Sequence, residues 1–151
     1  MQGWNAAGRL KFEVETMEYK ITIPGSPVAK GRPRVGKFGT YTPKKTEDFE
    51  SYVRYCWAAE YGNLKPSDRP LDVSIIFDMP IPKSASKKAK ASMDTGETKH
   101  IKKPDLDNMA KTVLDALNGL AYMDDSQIFS LTLYKTYSER PGTYLKITES
   151  E

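Results

Sequence analysis

A chain of 151 residues, 38% apolar and 11% aromatic, can bury one core of ordinary size, which excludes a pair of large domains and, with clear apolar periods throughout, a disordered chain. No apolar run long enough to span a bilayer and no signal peptide is visible, and the lone Cys56 excludes an internal disulfide and has no partner at zinc spacing, so a soluble, cytoplasmic protein without a membrane partner is expected. The net charge of +3 hides an asymmetry: residues 30–45 hold six bases and no acid, and residues 83–103 hold seven lysines against Asp94 and Glu97, so the rest of the chain is acidic on balance.

Residues 1–16 read as an N-terminal extension ahead of a functional start at Met17, or residues 10–15 add an edge strand. Tyr19, Ile21 and Ile23 alternate with Lys20 and Thr22 before Pro24-Gly25, which predicts a half-buried strand and a turn. A helix follows. Thr42 is its expected N-cap and Pro43 its first residue, and Phe49, Tyr52, Val53, Cys56, Trp57 and Ala59 form an apolar stripe up to Tyr61-Gly62. Leu71, Val73, Ile75, Phe77 and Met79 alternate with Asp72, Ser74, Ile76 and Asp78, which predicts a second strand closed by Pro80. Residues 84–94 suit a short, lysine-covered helix. The next helix opens between Asp105 and Asp107, turns Met109, Val113, Leu114 and Leu117 inward, and stops at Asn118-Gly119. Strands over about 127–137 and 142–148 flank a Pro141-Gly142 turn. Strands and helices that do not alternate regularly predict an α+β fold: a small mixed or antiparallel sheet with helices on one face.

The basic stretches are the footprint of a protein that neutralises backbone phosphates. In Lys30-Gly31-Arg32-Pro33-Arg34, glycine and proline hold two guanidinium groups on a constrained backbone, and arginine grips phosphate with two parallel hydrogen bonds. Lys30, Arg32, Arg34, Lys87, Lys88, His100, Lys102 and Lys103 are the candidate nucleic-acid contacts; His100 is also readable as a base or a surface residue. A lysine-rich surface that keeps the protein in solution is the plainer reading of residues 83–103.

Against this background Asp105, Asp107, Asp124 and Asp125 gather at the two ends of the 105–118 helix. Magnesium binds through one or two carboxylates together with waters and phosphate oxygens, and makes a bound water acidic enough to attack phosphorus. Lys111 lies one helical turn after Asp107, where an ammonium can stabilise charge building on a phosphate. One of Asp124 and Asp125 is expected to return to the same spot as the chain turns back toward the sheet. Each piece also has a purely structural reading: Asp105 or Asp107 as an N-cap, Lys111 as an i,i+4 partner, Asp124-Asp125 as a turn. A calcium loop is excluded, since counting from Asp105 the sixth position is Ala110 and the twelfth Ala116. Walker A, Rossmann and Gly-x-Ser-x-Gly patterns are missing from the sequence.

Three strings then carry a resemblance: Lys103-Pro104-Asp105-Leu106-Asp107-Asn108-Met109-Ala110-Lys111, Asp115-Ala116-Leu117-Asn118-Gly119 and Tyr122-Met123-Asp124-Asp125-Ser126-Gln127-Ile128. With Pro27 to Arg34 and Tyr41-Thr42-Pro43 upstream, this pattern resembles the RusA family of Holliday junction resolvases, in its phage and prophage form, over about residues 18–148. The resemblance implies a homodimeric endonuclease of bacterial or prophage origin, dependent on Mg²⁺ with Mn²⁺ able to substitute, that nicks opposed strands of four-way and other branched DNA in recombination and repair. Carried over, the essential acids fall on Asp105, Asp107 and Asp125, which would hold the metal, and the functional lysine on Lys111, with Asp124 the weaker member of its pair. Two other functions are compatible with the residues: a non-catalytic module that binds branched DNA, and a metal-dependent phosphohydrolase acting on small nucleotides.

Overall fold

The computed structural model describes residues 2–4, 10–12 and 16–151, with side chains from Thr16 onward. Gln2–Trp4 (β1) and Leu10–Phe12 (β2) pair antiparallel as a separate two-stranded ribbon, so Leu10–Phe12 is not an edge of the main sheet; residues 13–15 of the suggested strand lie outside the described residues. The main sheet begins at Glu18–Pro24 (β3). A short hairpin, Arg34–Gly36 (β4) and Gly39–Tyr41 (β5), stands apart from it, followed by the helix Lys44–Tyr61 (α1). Leu71–Pro80 (β6), Lys87–Asp94 (α2), Leu106–Leu117 (α3), Ile128–Ser138 (β7) and Gly142–Glu149 (β8) complete the order.

The sheet runs β3-β8-β6-β7. Only β6 and β7 are parallel, so the sheet is mixed, as expected. Its architecture follows from strict alternation in β6: Leu71, Val73, Ile75, Phe77 and Met79 are all buried, while Ile76 points the other way and is 44% exposed. The buried row, with Ile21, Ile23, Leu145 and Ile147, meets Phe49, Val53 and Trp57 of α1 and Met109, Val113 and Leu117 of α3. Each of these large side chains contributes about 1.5–3 kcal/mol on leaving water, so the shared core is what sets α1 and α3 side by side on one face. The opposite face carries Tyr144, Ile76 and Tyr134 in one cross-strand row, all partly exposed.

The expected boundaries hold to within a residue or two, except that the short lysine-covered helix starts at Lys87 instead of residue 84, behind its N-cap Ser86. Pro43, not Thr42, occupies the N-cap position of α1; its ring has no polar atom with which to cap, and its carbonyl accepts the first helical hydrogen bond, from Glu47 N at 3.0 Å. In the same helix Tyr52 and Ala59, expected on the apolar stripe, are exposed. The hairpin β4–β5 was not anticipated. Among the described residues no helix is long and apolar enough to cross a membrane.

Candidate nuclease site

Asp105 follows a bend over residues 102–104 and, with extended backbone angles, becomes the N-cap of α3, yet its carboxylate makes no hydrogen bond to the helix backbone. Both its oxygens instead accept from Lys103 Nζ, at 2.8 and 3.0 Å, and that ammonium holds the carboxyl below the usual aspartate range. The capping explanation of Asp105 therefore accounts for its backbone but not its side chain. Asp107, in the first turn, and Lys111, one turn on, are both exposed. Among the described residues no ion pair joins them, which removes the i,i+4 pairing and leaves a carboxylate and an ammonium side by side and unengaged. The 102–104 backbone that delivers Asp105, including the cis Lys103–Pro104 bond, is held by a residue that sequence reading missed. Lys135 of β7 donates from Nζ to the carbonyls of Lys102 (2.8 Å) and Pro104 (3.1 Å).

The acidic pair lies at the other end of the helix. The Asp124 carboxylate accepts from Ser126 N at 3.0 Å while Gln127 Oε1 accepts from Asp124 N at 2.9 Å, a capping box on the short 3₁₀ turn Asp125–Gln127 that keeps the Asp124 carboxyl low. Asp125 is fixed differently: its backbone N–H donates to Asn118 Oδ1 at 2.9 Å, at the C-terminal stop of α3, and its side chain has no such engagement. Twelve residues of helix separate the two ends, about 18 Å at 1.5 Å per residue. The expectation that Asp125 returns to Asp105 and Asp107 is therefore not met within one protomer: the chain turns back at the far end of α3 and enters β7 from there. Consistently, no group of three or more Asp, Glu, His or Cys side chains among the described residues is close enough to hold one ion.

The basic loop reaches the near end of α3. Lys30 N donates to the Asn108 carbonyl at 3.0 Å, and Gly31 N to Thr46 Oγ1 at 2.9 Å; a Cβ at Gly31 would lie 2.8 Å from that oxygen, so only glycine fits. Lys30 itself is not presented to a ligand. Its position takes it partly out of water, which disfavours charge, but Glu50 and Asp115, the latter at 3.4 Å, more than offset this and raise the ammonium above its ordinary value. It clasps the loop onto α1 and α3 instead. Arg32 and Arg34 are exposed, have no ion pair among the described residues, and line an open groove with Pro33, Lys45 and Pro104, the residue preceding Asp105.

Of the other expected contacts, Lys87, Lys88, Lys102 and Lys103 are exposed, the first two on α2. His100 is not. It is 9% exposed with its ring 4.8 Å from that of Tyr137, and burial, with Lys135 and Lys102 nearby, pulls its pKa down. Aromatic packing has taken the surface that a phosphate contact would need.

The chain is 39% identical over 136 residues, 86% of its own length and 95% of the other's, to the uncharacterized protein YqaN of Bacillus subtilis (strain 168). The family model described as endodeoxyribonuclease RusA matches residues 24–148, which takes in the basic loop, the whole of α3 and both acidic ends, and the chain belongs to that family of endodeoxyribonucleases.

Proposed function

We propose that the protein is a Mg²⁺-dependent endonuclease that, as a homodimer, resolves four-way DNA junctions by paired nicks. The observation that carries this reading is the near end of α3, where Asp105, Asp107 and Lys111 open beside a groove edged by Arg32 and Arg34. The donor set suits magnesium: two carboxylates are what such an ion takes from a protein when waters and phosphate oxygens complete its shell. Asp105 is held by an exposed lysine and by a long, 3.5 Å hydrogen bond from Asn108 Nδ2, contacts weak enough to be exchanged for a cation. When bound there, the ion supplies Lewis-acid polarisation of the phosphoryl oxygen and charge neutralisation at phosphorus. Lys111 adds a fixed positive charge where the phosphate becomes more anionic, and Arg32 and Arg34 hold the backbone on either side, positioning DNA without reading its sequence.

Asp125, stranded at the opposite end of the helix, fits this scheme as the carboxylate that each copy lends to its partner. A two-fold pair of such copies presents two equivalent sites to a two-fold symmetric junction. The same separation favours a second reading, a module that binds branched DNA without cutting it. One gel assay separates these: a synthetic junction with and without Mg²⁺, with linear duplex as competitor. Wild type is expected to nick only with the ion, and Asp107→Asn to lose nicking by at least about a hundredfold while binding as tightly or more tightly, since repulsion from phosphate is relieved. Binding without nicking in either Mg²⁺ or Mn²⁺ would leave the non-catalytic module.

A further inference from the structure

The β4–β5 hairpin projects from the protein without joining the main sheet, and its two-residue tip is Lys37-Phe38. Phe38 is 98% exposed and Val35 85%, an arrangement no folding requirement explains, since neither side chain belongs to the core. The hairpin is nonetheless well defined. Tyr41 pairs across from Arg34, and its ring lies so close over Gly36 that a Cβ there would sit 3.0 Å from a ring carbon. From Pro27 to Thr46 the chain contains no acid, and Lys37 Nζ lies 5.9 Å from the Phe38 ring centroid. The base of the hairpin, Arg34, lines the groove that reaches Pro104, whereas the tip residues Lys37 and Phe38 are not among the groove's lining residues.

We propose that Phe38 is a stacking wedge for a nucleobase, carried on a basic stalk that follows the phosphates from the nuclease site to the branch point. Charge complementarity selects the occupant: Arg32, Arg34 and Lys37 draw the tip onto a polyanion, and an aromatic face in that setting finds its surface on a base rather than on an apolar protein. Stacked duplex offers no open base face, whereas the centre of a junction has pairs with a free side. The inference rests on the junction-binding reading above, and deepens it by assigning where recognition of the branch resides.

The test uses the full chain without divalent ion and a four-way junction carrying 2-aminopurine either beside the branch point or within an arm. Wild type is expected to change the fluorescence of the branch reporter only. Phe38→Ala should abolish that change and weaken junction binding about tenfold, with duplex binding altered less than about twofold, and Phe38→Trp should restore both. Because the ring is outside the core, loss of fold does not confound the variant; circular dichroism confirms it. If Phe38→Ala binds junctions and perturbs the branch reporter as wild type does, the wedge is overturned while the nuclease reading stands. If the variant instead sediments as a smaller species, the ring belongs to a contact between copies and the proposal is equally overturned. If wild type shows no preference for junction over duplex, both this and the reading beneath it fall.

Discussion

At the residue scale the contrast is between polar groups engaged by the fold and polar groups left over. Asp124 and Lys30 are engaged, the first by a 3₁₀ cap and the second by Glu50 and Asp115; Asp107 and Lys111 are not. His100 illustrates the cost of engagement. Its buried Nδ1 has no hydrogen-bond partner, and the groups around it are the cations of Lys135 and Lys102 and the ring of Tyr137, so the folded state resists its protonation. With the folded pKa below the ordinary 6.5, the unfolded chain binds the proton first, and stability present above pH 6.5 is lost as pH falls through that window. Chemical denaturation of His100→Phe across pH 7 to 5 is expected to show a shallower loss than wild type. The variant should also be more stable at pH 7, by about 1 kcal/mol, because it removes an unsatisfied buried polar atom. Parallel profiles would assign the acid sensitivity elsewhere, for which Asp78, with its pKa raised by burial and hence the opposite sign, is unsuited.

At the scale of elements, what could be read in advance depended on whether an element buries a face. The alternation in β6 and the apolar side of α3 were legible because the core demands them, and each boundary falls within a residue or two of expectation. The β4–β5 hairpin has no buried face and only three residues a strand, so periodicity carries no signal; Gly36 and Gly39 around a two-residue tip were the available cue. The role of Lys30 was hidden for another reason, since Glu50 and Asp115 are distant in sequence and only the packing of α1 on α3 brings them together. Its removal from the set of free bases sharpens a prediction for the loop. Replacing Arg32 and Arg34 with Gln should flatten the dependence of log junction affinity on log salt concentration by roughly one unit for each phosphate no longer neutralised. Lys30→Gln, by contrast, should leave that slope unchanged while loosening the loop. Equal slopes for wild type and the double variant would make the arginines structural.

At the scale of the molecule, the family was legible in the sequence, but the distance between Asp105-Asp107 and Asp124-Asp125 was not inferred, although the length of α3 already implied it. Mixing inactive variants tests the proposed sharing of Asp125 between copies. Asp107→Asn and Asp125→Asn are each expected to be inactive alone; refolded together, their heterodimers would regain one of two sites and release singly nicked junctions. Sites built within one copy would give no recovery from any mixture. A related expectation concerns residues 1–16. The main sheet starts at Glu18 and is tied in place by the hydrogen bond from Glu149 N to the Met17 carbonyl, while β1 and β2 pair only with each other. A chain starting at Met17 is therefore expected to melt within a few degrees of the full chain and to cut equally well, and a large drop in either would make the extension part of the domain.

Helix α3 thereby acquires the character of a gauge. If its two ends serve different reaction centres, its rigid rise fixes how far apart the paired cuts fall on the substrate, much as a spacer sets the jaws of a caliper. Splicing one extra turn into it would add about 5.4 Å to that span, and the offset between the two nicks would report the change directly on a sequencing ladder.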